Sequence, residues 1–158
     1  PAATDIFVGP SSLSEGMNPS YWTSRQSSVE TTHNGISYQR SMVTMADVRD
    51  GSSNTYLIGE KFLNPKAYQS IAAFYDTGDN EVAYSGYNRD FHRSTAHRAF
   101  QDNESLDQPY AFGSAHSGAL NMSMCDGSVR SISYSIDSEI HRRLGVRNDG
   151  LPVDASAF

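Results

Sequence analysis

One stretch, residues 112–134, constrains the fold of this chain more than any other. Before Asp126-Gly127 apolar residues alternate with polar ones, and further apolar residues follow it, which is the pattern of two antiparallel strands. Asp-Gly supplies the positive φ angles of a tight type I′ turn, or a bulge. The apolar residues are Leu120, Met122 and Met124 before the turn, and Val129, Ile132 and Tyr134 after it. The sequence therefore predicts a β-hairpin over residues 119–134.

A second motif, residues 47–61, reads Asp-Val-Arg-Asp-Gly-Ser-Ser-Asn-Thr-Tyr-Leu-Ile-Gly-Glu-Lys. Its first half is rich in side chains that bond nearby backbone groups and so favour turns, namely Asp50, Ser52, Asn54 and Thr55. Residues 56–58 then form a short apolar run of strand length. We expect the polar side chains to fix the connection that leads into this strand.

These motifs resemble the hallmarks of the planctomycete-type prepilin-like, or pseudopilin-like, family, a domain-of-unknown-function family also called bacterial solute-binding protein family 10. The residues that carry the resemblance are His116 with Asp126-Gly127 ten positions on, Asp50-Gly51, Asn54-Thr55 and Gly59-Glu60. Residues 62–65, 79–81 and 134–154 add weaker similarity, so the resemblance covers residues 36–158.

The resemblance implies the globular head of a pilin-like protein. Members typically begin with a basic leader, a prepilin peptidase site and a long apolar stalk helix. The chain opens at Pro1 with no apolar run of that length, and a membrane-spanning helix needs about 20 apolar residues. We therefore expect a processed or trimmed product with residues missing upstream, attached to a membrane only through a missing N-terminal helix.

The fold class predicted is α+β, mostly antiparallel β, in a single pilin-like head domain over residues 1–158. Residues 1–35 show no sustained periodicity and are predicted to be loop-rich, and residues 88–110 an extended surface loop. Thr44 is expected to cap one helical turn, and Asp137 a helix over 138–144 that Gly145 ends. Further strand candidates are residues 36–43, 71–75 and 82–87.

Composition excludes one class of partner. The chain carries a net charge of -6 and a mean hydropathy of -0.53, whereas nucleic-acid binding needs clustered Lys and Arg. The one basic cluster, Arg142, Arg143 and Arg147, falls at the predicted helix end, where cations suit the helix dipole. We interpret it as capping.

The acidic turn, residues 76–81, is the metal candidate. Asp76, Asp79, Asn80 and Glu81 lie within six residues and offer the hard oxygen donors that Ca²⁺ prefers. Their spacing departs from the EF-hand pattern, and acidic turns are also common on solvated surfaces. Ca²⁺ is the one cofactor predicted.

Other polar residues allow a structural interpretation. His116 is expected to form structural hydrogen bonds without contacting Asp126, since nine residues separate them. Glu60 is either an ion-paired strand end beside Lys61, an oxygen ligand or an inward carboxylate that bonds backbone amides. The sole cysteine, Cys125, is interpreted as a small, partly buried residue. His92 and His97 either form a metal or anion site or are solvated loop residues.

The function predicted is a non-enzymatic, pilin-like structural or interaction protein of the cell envelope, periplasmic or extracellular. Its expected partners are protein subunits of a filament or surface assembly, including copies of itself. The alternative is a polysaccharide- or solute-binding module, for which aromatic residues between 68 and 110 form the contact face. Partner contacts are assigned to Tyr84, Tyr87, Phe91 and His92. A metal-dependent hydrolase using His92, His97, His116 and a carboxylate ranks third.

Overall fold

The computed structural model describes residues 10–23, 33–69, 76–82, 84, 87–154 and 156. Within them the chain forms a small α+β domain with a mostly antiparallel sheet and few helices. The helices and strands are α1 (Leu13–Gly16), β1 (Tyr56–Gly59), β2 (Phe100–Gln101), β3 (Gly113–Ser114), β4 (Ala119–Met124), β5 (Val129–Ser133) and α2 (Ser138–Leu144). Short 3-10 turns span Met45–Asp47, Ser52–Asn54 and Pro65–Ala67. Residues 19–23 are also helical.

The main sheet has the strand order β1-β4-β5, and both pairs are antiparallel. Inward residues of this sheet alternate as period two requires, so Leu120, Met122 and Met124 are fully buried and Leu120 pairs with Ile132. Leu144 of α2 and Ala99 complete the core. The predicted β-hairpin over residues 119–134 is confirmed.

The hairpin turn is not the type I′ turn that the sequence allowed. A type I′ turn needs positive φ angles at both central residues, but within this turn Gly127 has a positive φ of 86° and Asp126 does not. Gly127 N donates to the Met124 carbonyl at 3.0 Å, and Met124 N to the Ser128 carbonyl at 2.8 Å. These bonds close a three-residue loop, Cys125–Gly127, of the kind that ends in a glycine bulge.

Helix α2 forms as predicted. The Asp137 carboxylate caps it by accepting the amides of Glu139 and Ile140, and Gly145 follows its last residue. Arg142 and Arg143 lie in the last turn of α2, as predicted, whereas Arg147 lies beyond it. Arg142 and Arg143 pair with Glu139, and Arg147 Nη1 donates to the carbonyls of His33 and Gly35, at 3.2 and 2.6 Å.

Several loop predictions are corrected. Residues 36–43 form no strand, whereas the turn after Thr44 forms with a capping box to Asp47. Residues 88–110 are not only surface loop, since they contribute β2, which pairs in parallel with β3, and the buried Ala99. Part of the N-terminal region is helical at α1. Residues 1–9 and 24–32, the strand predicted at 71–75 and part of that at 82–87 lie outside the described residues.

In the described part of the chain, no helix combines the length and the apolar character that crossing a bilayer requires.

Candidate functional site

A cleft of about 680 Å³ lies beside β1. One wall is the whole of β1, and the others come from residues 33–37, from residues 87–96 and from the end of α2. Its volume falls within the range of small-ligand sites, about 300–1,000 Å³. The aromatic side chains that line it are Tyr56, Tyr87, Phe91 and Phe112, and the charged or titratable ones include Lys61, Asp90, His92 and Arg93.

Lys61 anchors the loop around the cleft to the end of β1. Its Nζ donates to the carbonyls of Gly78 and Asp90, at 3.2 and 3.1 Å, and pairs with the Asp79 carboxylate. The ammonium charge is therefore balanced by Asp79 at the protein surface. This pairing also shows that Lys61 does not serve Glu60, its neighbour in sequence.

Asp90 and Arg93 lie together in the cleft wall. Asp90 is 2% exposed, and its Oδ2 accepts the Glu81 amide. Arg93 Nη2 donates to the Gly78 carbonyl at 2.8 Å, and Nη1 to the carbonyls of Arg89 and Pro109. Burial lowers the pKa of Arg93 to about 10, against the attraction of Asp76 and Asp90. Asp90 Oδ1 and Arg93 Nε are both buried and lack a hydrogen-bond partner among the residues that the structure describes.

The aromatic side of the cleft is built around His92. Its ring lies 3.9 Å from that of Tyr87, centroid to centroid, and Nε2 is 2.9 Å from Ser37 Oγ. Burial lowers the pKa of His92, although the Asn88 carbonyl beside its Nδ1 acts in the opposite direction. Phe91 is 50% exposed. Of the four predicted contact residues, three line the cleft, and Tyr84, 98% exposed, does not.

The acidic turn forms internal contacts at predicted calcium ligands. Asp76 is buried and accepts the amides of Asn64 and Gly78, each at 2.7 Å. Asp79 pairs with Lys61, and the exposed Glu81 donates its amide to Asp90. No group of three or more His, Cys, Asp or Glu able to hold a metal occurs within the described residues. A calcium ion would have to displace Lys61 from Asp79, and calcium binding here stays a prediction.

Glu60 and His116 meet beside the open end of the hairpin. Glu60 Oε2 accepts the Asn121 amide at 2.6 Å, and Oε1 lies 3.2 Å from His116 Nε2. Burial alone would raise the pKa of Glu60, but hydrogen bonds from Asn121 and Ser114 outweigh it, and the pKa is lowered. Of the alternatives for Glu60, the structure thus has the carboxylate that bonds a backbone amide. The contact between His116 and Glu60 thus links the segment before β4 to the end of β1. Asp126 lies at the opposite end of the hairpin.

The Asp50-Gly51 motif fixes two connections. Thr55 Oγ1 donates to the Gly51 carbonyl at 3.1 Å, and Asn54 Nδ2 to that of Asp50 at 3.5 Å. Gly51 has a φ of 99°, which favours glycine. The Asp50 carboxylate reaches further than the local motif predicts, because it accepts the amides of Asp149 and Gly150 at 2.7 and 2.8 Å.

The groups considered for catalysis do not assemble. Burial, with Asp126 nearby, raises the pKa of Cys125, which is the opposite of what a nucleophilic thiol requires. The His97 ring stacks on Tyr110, His92 faces Ser37 and His116 faces Glu60.

Sequence reasoning missed Asp90 and the wall from residues 33–37, and it considered Arg93 only as a neighbour of His92 in a metal or anion site. Asp90 and Arg93 flank the aromatic pair Phe91-His92, and two opposite charges around two aromatic residues are the signal that could have identified Asp90. No periodicity pointed to residues 33–37. Their position follows from Arg147, whose contacts span more than a hundred residues of sequence.

Comparison with known proteins gives one match. Residues 4–139 match the model of the family described as "Protein of unknown function (DUF1559)", labelled SBP_bac_10. No curated protein matches the chain. No solved structure matches it either.

Proposed function

The chain belongs to this family of unknown function, and from that premise we propose that it is a non-enzymatic, pilin-like interaction domain of the cell envelope. The observation that carries the proposal is the contrast between the cleft and the titratable groups. The cleft offers aromatic and polar side chains for contact, whereas the side chains of His92, His116 and Glu60 each bond another group of the protein. Ser37 Oγ lies beside His92 Nε2, but in a catalytic triad a carboxylate orients the other ring nitrogen, whereas His92 Nδ1 lies 3.2 Å from the Asn88 carbonyl. The arrangement favours binding over turnover.

The pilin-like part of the proposal is supported by the sequence resemblance and by the outer face of the sheet. Ile58, Ser123 and Val129 are direct neighbours across the three strands, and directly opposed residues point to the same face. Ile58 is 69% exposed and Val129 68%. This exposed apolar row is suited to packing between subunits of an assembly, including copies of the same chain.

The assembly is tested in the organism that encodes the chain, with the full gene product tagged. We expect the tagged protein in high-mass envelope or sheared-surface fractions, and Val129→Asp to release it from them while the fold stays intact. Ser105→Asp is the control, because Ser105 is exposed and lies outside the sheet. A wild-type protein found only as a monomer outside the envelope fractions would contradict the proposal.

The second candidate is a polysaccharide- or solute-binding module, and the size and aromatic lining of the cleft favour it. A glycan array tests it with the purified domain. Binding is expected to fall in Tyr87→Ala, which removes a ring from the cleft, and to persist in Tyr84→Ala, whose exposed ring lies outside it. An equal loss of glycan binding in both variants would show that the contact surface lies outside the cleft.

A further inference from the structure

The cleft runs along one edge of the main sheet. All four residues of β1, Tyr56–Gly59, line it, whereas β4 and β5, although described throughout, contribute no residue to its lining. Successive residues of a strand point to opposite faces of a sheet, so a cleft on one face would be lined by alternate residues of β1 and by the neighbouring β4. The cleft therefore lies beside β1, on the side away from β4.

The backbone on this side of β1 is unpaired within the part of the chain that the structure describes. β1 is the first strand in the order β1-β4-β5 and pairs with β4 alone. Outside that pairing, the backbone groups of Leu57, Ile58 and Gly59 form no hydrogen bond with a described residue. A free strand edge is a template for a further strand, and proteins bind extended peptides through such main-chain pairing.

The shape of the cleft limits what can reach this edge. Residues 33–37, residues 87–96 and the end of α2 bound the remaining sides of a volume of about 680 Å³. Four residues of a strand extend over about 13 Å, so one extended segment of similar length fits beside β1. The edge strand of a second folded domain would bring its own sheet into these walls, and it is therefore excluded.

The side chains around the edge favour an uncharged, apolar segment. Leu57 is 43% exposed, and Ile58 and Phe91 also line the cleft with exposed apolar surface. The charged side chains of the lining each have an opposite charge nearby, in the pairs Lys61–Asp79, Arg142–Glu139 and Arg93–Asp90. A charged peptide would therefore lose its hydration without finding a free counter-charge in the lining.

We propose that the edge of β1 binds an extended, uncharged peptide segment of a partner protein, which adds a strand to the main sheet. The segment pairs with the backbone of β1 and places apolar side chains against Leu57, Ile58 and Phe91. The proposal rests on the proposed function as an interaction domain and adds to it the class of partner. It is separable from the assembly of copies, because that assembly is assigned to the outer row with Val129.

The test selects binders to the whole 158-residue chain from a phage-displayed library of random short peptides. An enriched peptide is then synthesised with each backbone nitrogen methylated in turn, and its Kd is measured by calorimetric titration. In an added strand only every second N–H points to the neighbouring strand. Methylation should therefore raise the Kd about tenfold or more at alternate positions and by less than about twofold between them.

Leu57→Lys, which places a charge at the edge, should raise the Kd of the same peptide about tenfold or more. Leu151→Lys is the matched control, because Leu151 is 41% exposed and lies outside the cleft; its Kd should stay within about twofold of wild type. Circular dichroism checks that both variants are folded, and the methylation series carries the test alone if Leu57→Lys is not.

Uncharged peptides whose binding alternates with the methylated position support the proposal. Enrichment of charged peptides, a methylation series without alternation, or an equal loss of binding in Leu151→Lys overturns it. A library that yields no binder also overturns it, and leaves the assembly proposal to be decided by the envelope fractions of wild type and Val129→Asp.

Discussion

Acidification should destabilise this protein through His141, a residue of α2 that is buried in the core. Its side chain is fully buried, between the rings of Tyr56 and Phe112 at 5.5 and 6.2 Å. Nδ1 lies 3.4 Å from the Tyr56 hydroxyl, and Nε2 is buried without a partner among the described residues. A proton added to this ring would place an unpaired charge in an apolar environment.

The magnitude follows from the pKa. Burial lowers the pKa of His141 from 6.5 to about 4. Between these values the unfolded chain binds more protons than the folded one, so the free energy of unfolding decreases as the pH falls. The stability that His141 contributes is fully present above pH 6.5 and is lost as the pH falls through 4. The lowering of the His141 pKa corresponds to about 3 kcal/mol of unfolding free energy.

Urea unfolding at half-unit steps from pH 7.5 to pH 4 measures this loss. His141→Phe keeps an aromatic ring between Tyr56 and Phe112 but cannot be protonated, so we expect its stability at pH 7 to lie within about 1.5 kcal/mol of wild type. Between pH 7.5 and pH 4.5 the free energy of unfolding of His141→Phe should fall less than that of wild type, and the difference should be most of the His141 contribution. The reasoning is refuted if wild type and His141→Phe lose stability in parallel over this window.

Three other predictions concern stability. Asp50→Ala should cost about 2 kcal/mol in urea unfolding, because the amides of Asp149 and Gly150 lose their acceptor; a change below about 0.5 kcal/mol would show that water replaces it. Gly59→Ala should lower Tm, because a Cβ there would lie 2.2 Å from Met122 Sδ and 2.9 Å from Phe112, and overpacking costs about 1–3 kcal/mol. The control Gly16→Ala should change Tm less, since its Cβ would lie 3.0 Å from the Pro10 ring. If Ca²⁺ binds the acidic turn, Tm should rise by several degrees at about a hundred times Kd and not in Asp79→Asn; an unchanged Tm at saturating Ca²⁺ would exclude that site.

The sequence predicted the elements whose signals are local. The hairpin follows from the period of two in Leu120, Met122 and Met124 and from Asp126-Gly127, and α2 follows from the Asp137 cap and Gly145. Both depend on contacts between residues close in sequence. Asp-Gly is compatible with a two-residue type I′ turn and with a three-residue loop that ends in a bulge, and the sequence left both open. The pairing of Met124 with Ser128 decides for the longer loop.

The errors have a different cause. Tyr38 lies in the predicted 36–43 strand, but it is buried with the Arg147 guanidinium 5.5 Å above its ring, which is a contact that period two cannot encode. Strands β2 and β3 have two residues each and are too short for a pattern. The cleft was found only in part, through Tyr87, Phe91 and His92, because its walls come from four distant segments.

Arg147 has a consequence for where the folding unit ends. Its amide donates to the Asn34 carbonyl, its carbonyl accepts the amides of Arg49 and Asp50, and its guanidinium binds the cleft wall at Gly35. The family match ends at residue 139, two residues into α2. A protein shortened to that boundary would lose Leu144 from the core and, with Arg147, the bonds that hold residues 33–35 of the cleft wall. The matched region therefore stops short of residues on which the fold depends, and a chain intended for ligand screens should extend past Arg147.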